Sequence, residues 1–170
     1  MTALQTAVVL IGPMGAGKTS VGKRVAKSLG VRFIDTDRVV AREHGPIPTL
    51  FETLGEPGFR ALERDAVRDA VAQPVVVSLG GGAVLDPATR ALLRELPVVL
   101  LTVTPEAVES RISGSDRPLL HDDGLAAWKA IAAERAPLYA DLADLTLDTS
   151  HRPLSHVVAD IVTWVGTDHA

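Results

Sequence analysis

With 170 residues and a formal net charge of −4, the chain suits one α/β domain and lacks the bulk positive field of a nucleic-acid binder. It has no cysteine, which excludes disulfides, thiolate metal sites and cysteine nucleophiles and fits a reducing cytosol. Hydrophobic residues make up 46% of it, but only three Phe, two Trp and one Tyr are present, so Val, Leu, Ile and Ala must build the core.

Residues 7–11 form an almost unbroken apolar run, the pattern of a parallel strand covered on both faces. It leads into Gly12-Pro13-Met14-Gly15-Ala16-Gly17-Lys18-Thr19, a full match to G-x-x-x-x-G-K-[ST], followed by a predicted helix over 18–29. Glycines let successive N–H groups curl around a phosphate at a helix N-terminus, whose dipole favours anions. Lys18 then reaches the β- and γ-phosphates and the Thr19 hydroxyl ligates Mg²⁺. Gly15, Ala16, Gly17, Lys18, Thr19 and Ser20 are therefore the candidate ATP-binding residues.

A second strand over 32–35 ends in Asp35-Thr36-Asp37, ahead of a helix over 38–44. Ligands of open α/β sheets sit beyond the carboxyl ends of strands, so both carboxylates should face the P-loop crevice. If the strand persists they point the same way: one holds Mg²⁺ through water, the other orients or deprotonates a substrate hydroxyl. A helix over 57–72 places Arg60, Glu63 and Arg64 on one face. The third strand, 75–79, ends in Gly80-Gly81-Gly82, a run with a large entropic cost. Either a close approach to the backbone or a turn needing positive φ would explain it.

Asp86-Pro87 and Thr104-Pro105 mark the starts of helices over 87–95 and 105–112, on either side of a strand over 98–103. The polar stretch 113–124, which contains Arg117, reads as a loop long enough to be a lid. A helix over 125–135 should stop at Pro137, and a strand over 145–148 and a helix over 154–165 complete the chain. This alternation implies a parallel sheet in a three-layer α/β/α arrangement. No apolar run approaches the ~20 residues of a membrane span, and the first residues lack a signal peptide's basic flank. A cytoplasmic protein with neither membrane nor nucleic-acid partners is expected.

The P-loop, Asp35-Thr36-Asp37, Phe59-Arg60-x-x-Glu63, Ser78-Leu79-Gly80-Gly81-Gly82-Ala83-Val84, Arg117-Pro118-Leu119-Leu120 and Arg135-Ala136-Pro137-Leu138-Tyr139 together resemble the shikimate kinase family, in order and spacing, over about residues 8–165. The resemblance implies a P-loop kinase fold: a five-stranded parallel sheet of order 2-3-1-4-5, in one domain over 1–170. A substrate-binding subdomain is implied near 37–64 and a lid near 113–124. It implies transfer of the ATP γ-phosphoryl group to the 3-hydroxyl of shikimate; a monomer is expected. Thr19 and Asp35 match the Mg²⁺ positions, the latter through water, and Asp37 the residue on the accepting hydroxyl. Arg60 and Arg135 match those gripping the shikimate carboxylate, and Gly80, Gly81 and Gly82 those lining its ring. Arg117 matches the lid arginine on the ATP phosphates, while Arg111 and Arg152 match positions flanking the adenine. Residues 44–49 depart from the family pattern, being proline-rich and shorter. A gluconate-type kinase and a nucleotide-binding module without chemistry are the alternatives.

Overall fold

Four consecutive apolar residues can be buried on both faces only if strands flank them and helices cover them. In the computed structural model, which describes residues 3–112 and 124–168, Val8–Ile11 (β1) meets that condition. β1 pairs in parallel with Val76–Ser78 (β3) on one side and Val98–Thr102 (β4) on the other, Val9 lying opposite Val77 and Val98. Phe33–Asp35 (β2) extends the sheet beyond β3 and Leu145–Asp148 (β5) beyond β4, giving the order β2-β3-β1-β4-β5.

Alternate residues of each strand feed opposite layers. Val8 and Leu10 pack with Val21 and Val25 of α1 (Lys18–Leu29), Val108 of α5 (Pro105–Ile112), and Val157 and Ile161 of α7 (Leu154–Asp168). Val9 and Ile11 pack on the other face with Val67 and Ala70 of α3 (Ile47–Val71), Leu93 of α4 (Pro87–Leu93), and Tyr139 and Leu142 of α6 (Gly124–Leu142). A third, smaller cluster joins Val40 of α2 (Thr36–His44) to Leu50, Phe59 and Ala66 of α3. Among the described residues, no helix is long and apolar enough to cross a membrane.

Three helices differ most from the sequence expectation. The α2 helix starts at Thr36 rather than at residue 38, because the Asp35 carboxylate caps it. The α3 helix absorbs the proline-rich stretch: Pro48 sits in its first turn, where the missing N–H costs nothing, and Gly55 (φ 70°, ψ 176°) breaks it before the expected segment. The α6 helix continues through Pro137 to Leu142, because burial of Tyr139 and Leu142 in the core outweighs proline's local penalty. Arg117 and the rest of the expected lid, Gly124 apart, lie outside the described residues.

Candidate active site

The P-loop is shaped by what its glycines make room for. A Cβ at Gly12 (φ 142°) would run into the Leu101 backbone carbonyl, so only glycine lets β1 turn this closely past β4. Gly17 (φ 95°, ψ 19°) caps α1 in the left-handed region, which any other residue would enter only under strain. The Lys18 ammonium, at the first position of α1, donates to the carbonyls of Gly12 at 2.6 Å and Pro13 at 3.1 Å. It is thereby held over the loop's concave side. The Thr19 hydroxyl donates to Asp35 Oδ2 at 3.1 Å.

The acidic pair converges by a route the strand reading did not foresee. The strand ends at Asp35, whose Oδ1 accepts from the N–H groups of Asp37 at 3.0 Å and Arg38 at 3.3 Å. Asp37 therefore stands in the first helical turn rather than on an extended strand, and still lines the same cavity as Asp35 and Lys18. Its carboxyl is raised above the usual carboxylate range, chiefly by burial and then by the charge of Asp35, while Lys18 and Arg60 pull it back down.

The triple glycine faces Asp37, Arg60 and Arg135. None of Gly80, Gly81 and Gly82 has positive φ. A Cβ at Gly80 would lie 2.5 Å from Asp37 Oδ1, one at Gly81 3.2 Å from Arg135 Nη1, and one at Gly82 would strike the Arg60 guanidinium. Close approach, not turn geometry, is the reason for the run, and the groups approaching it are the charged side chains of the site.

Arg60 donates to Glu63 Oε1 at 2.8 Å and lies over the Phe59 ring at 5.3 Å, with Phe51 stacked on Phe59 at 4.5 Å. Glu63 is buried, which raises its carboxyl above the ordinary range, and the hydrogen bond from Arg60 opposes that rise. Arg60 Nε is buried without a hydrogen-bond partner, Glu56 Oε1 standing 3.6 Å away. Although Arg64 leaves the same helical face, it pairs with Asp86 at 2.6 Å.

One cavity of about 1040 Å³ gathers most of the candidates. Gly15, Gly17, Lys18, Thr19, Ser20 and Arg111 line its P-loop end; Asp35 and Asp37 stand beside them, and Gly80, Gly81 and Arg135 line the far end. Ala16, Arg60, Gly82 and Arg152 are not among its lining residues: Ala16 is buried, and Arg60 lines a separate cavity of about 310 Å³ with Glu56 and Asp86. Arg152 is paired with Asp160 at 2.7 Å on the surface.

Among the lining residues without a role in the sequence reading, Tyr139 and Trp128 each donate to a backbone carbonyl of the site. Tyr139 donates to the Gly81 carbonyl at 2.6 Å, and burial keeps its phenol above the usual range and so protonated. Trp128 donates to the Met14 carbonyl at 2.8 Å. The signal for Tyr139 was its i,i+4 spacing from Arg135, hidden by ending the helix at Pro137. Trp128 left no local signal, because its acceptor is a backbone atom far away in sequence.

Thr19 and Asp35 offer a hydroxyl and a carboxylate oxygen side by side, and no cluster of three or more His, Cys, Asp or Glu side chains exists among the described residues. That sparse oxygen set fits Mg²⁺, which takes one or two protein oxygens and completes its shell with water and phosphate.

The family model described as shikimate kinase matches residues 14–166. The shikimate kinase of Francisella tularensis subsp. novicida (strain U112) is 41% identical over 164 residues, 93% of each chain. Among solved structures, shikimate kinase from Acinetobacter baumannii in complex with shikimate superposes with a TM-score of 0.88 at 31% identity, over 98% of this chain and 96% of that one. A gluconokinase from Sinorhizobium meliloti 1021 shares the fold at a TM-score of 0.69, with 18% identity over 99% of this chain and 95% of that one.

Proposed function

The chain belongs to the shikimate kinase family, and from that premise we propose that it moves the γ-phosphoryl group of ATP to the 3-hydroxyl of shikimate, giving shikimate 3-phosphate and ADP. The observation that carries the reading is the single cavity in which Lys18, Asp37 and Arg135 meet.

Phosphoryl transfer asks little covalent chemistry of a protein, so positioning and charge compensation dominate. The P-loop amides and Lys18 bind the triphosphate. Thr19 and Asp35 would hold Mg²⁺, Asp35 through water; when bound, the ion neutralises charge on the β- and γ-phosphate oxygens. Asp37 accepts a hydrogen bond from the acceptor hydroxyl and takes its proton as the oxygen attacks. Its raised pKa supports that role, since a base works best when its pKa approaches the working pH. Arg135 and Arg60 grip the acceptor's carboxylate, a planar fork matching a planar anion. Arg60 Nε supports this, being a buried donor that makes no hydrogen bond, its ion-pair partner Glu56 Oε1 standing 3.6 Å away. Gly80, Gly81 and Gly82 line the ring, Arg111 and Arg152 flank the adenine, and Arg117 closes over the phosphates. The working unit in this reading is one domain, a cytoplasmic monomer.

The test is ADP release with shikimate, with gluconate and with no acceptor. Turnover confined to shikimate is expected. Equal release without acceptor would leave a nucleotidase, no release with any acceptor would leave a bare nucleotide-binding module, and turnover with gluconate would reassign the acceptor.

A further inference from the structure

Three successive carbonyls of the P-loop are each held from outside by a side chain of a different element. Met14 O accepts from Trp128 Nε1 of α6 at 2.8 Å, and Gly15 O from Arg111 Nη1 of α5 at 2.7 Å. Ala16 O accepts from the hydroxyl of Thr149, the residue after β5, also at 2.7 Å. These donors are themselves fixed. Thr149 is fully buried, its hydroxyl accepts from Arg111 Nη1 at 3.3 Å, and its carbonyl accepts from Arg111 Nη2. Trp128 is 7% exposed and packed in the core layer formed by α1 and α7.

The peptide unit is planar, with its C=O and N–H pointing in opposite directions. Holding the carbonyls of residues 14, 15 and 16 outward therefore turns the N–H groups of Gly15, Ala16 and Gly17 inward, the Ala16 N–H resting on the Pro13 carbonyl at 3.3 Å within the loop. Those are the amides a phosphate chain needs. A glycine-rich loop otherwise samples many conformations and must lose that freedom when the ligand binds. We infer that Trp128 and Thr149, with Arg111, are positioning residues that preset the P-loop amides for the triphosphate before nucleotide arrives. Arg111 thus acts on the loop's backbone in addition to any contact with the base. The inference rests on the proposed reading of this loop as the nucleotide site.

The test separates the two. Inorganic tripolyphosphate, a phosphate chain with no base, is measured as an inhibitor competing with ATP. Trp128→Phe keeps the aromatic body and removes only the N–H donor; Thr149→Val removes the hydroxyl and Thr149→Ser restores it. The inhibition constant for tripolyphosphate and the KM for ATP should rise together, about 3- to 10-fold in W128F and in T149V, the value of one lost hydrogen bond. T149S should stay near the parent, and the KM for shikimate should move less than about twofold in all three. If W128F melts too low to assay, the T149V and T149S pair reads the same quantity. Parent-like tripolyphosphate inhibition in T149V, or in a folded W128F, overturns the inference and leaves the kinase reading intact. A parent that tripolyphosphate does not inhibit in competition with ATP overturns the nucleotide reading and this inference with it.

Discussion

Burial does most of the work on Asp37: it raises the carboxyl, Asp35 adds to the rise, and Lys18 and Arg60 hold it partway down. Only the ionised form can accept a proton, so kcat should fall as pH drops through that raised pKa and level off above it. Asp37→Asn should lower kcat by about 10²-fold or more, leave ATP affinity near the parent's, and flatten the acidic limb of the profile. An unchanged kcat removes Asp37 from the reaction. Gly82 makes a complementary case. A methyl there meets the far end of the Arg60 side chain, which can swing away without disturbing the backbone. Gly82→Ala should therefore melt within a few degrees of the parent while the KM for shikimate rises about tenfold or more and the KM for ATP holds, as steady-state kinetics would report. An unshifted acceptor KM would mean that Arg60 does not grip the acceptor. In the sequence these glycines left two explanations open, and only the positions of Asp37, Arg60 and Arg135 choose between them.

Among the elements, what was legible followed local rules. The buried strands β1, β3 and β4 announced themselves as apolar runs, and the P-loop between β1 and α1 as a fixed string. Asp86-Pro87 marked the start of α4, where Asp86 accepts from the N–H groups of Ala88 at 2.9 Å and Thr89 at 3.0 Å. What stayed hidden depended on partners distant in sequence. Pro137 looked like a break because local propensity disfavours it, yet core burial carries α6 through it. The role of Asp86 also exceeds its local signal, since it joins α4 to Arg64 of α3 and so ties the arginine-bearing helix to the stretch after the glycine loop. Asp86→Ala should cost about 1 kcal/mol through the lost cap, read from the denaturant midpoint. Asp86→Asn keeps the cap and loses the charge. The Arg64 hydrogen bond, aided by the Thr89 and Ala88 amides and opposed by burial, depresses the Asp86 carboxyl. Stability from that charge is present above the ordinary carboxylate pKa and lost as pH falls through the depressed folded value. The gap between parent and D86N should therefore close in strongly acidic solution; a gap independent of pH would show that the charge contributes nothing.

At the scale of the whole molecule, the sheet's central strands feed both helical layers, so a ligand gripping the ends of those strands stabilises the entire core rather than one loop. The triphosphate site meets that description: its loop joins β1 to α1, and its carbonyls are held from α5, α6 and the residue after β5. A ligand that binds only the folded state adds about 2.7 kcal/mol at a hundred times its Kd. For a chain of this size that corresponds to a rise in Tm of roughly 5–10 °C. ATP at that excess should produce such a shift in the parent. Lys18→Ala removes the charge that meets the β- and γ-phosphates but none of the sheet packing, so it should melt near the parent without ligand and respond far less at the same ATP concentration. The two melting curves, each with and without nucleotide, decide the matter. A parent whose transition ignores ATP, or a K18A variant that responds as fully as the parent, would mean that the triphosphate is not held where β1 turns into α1.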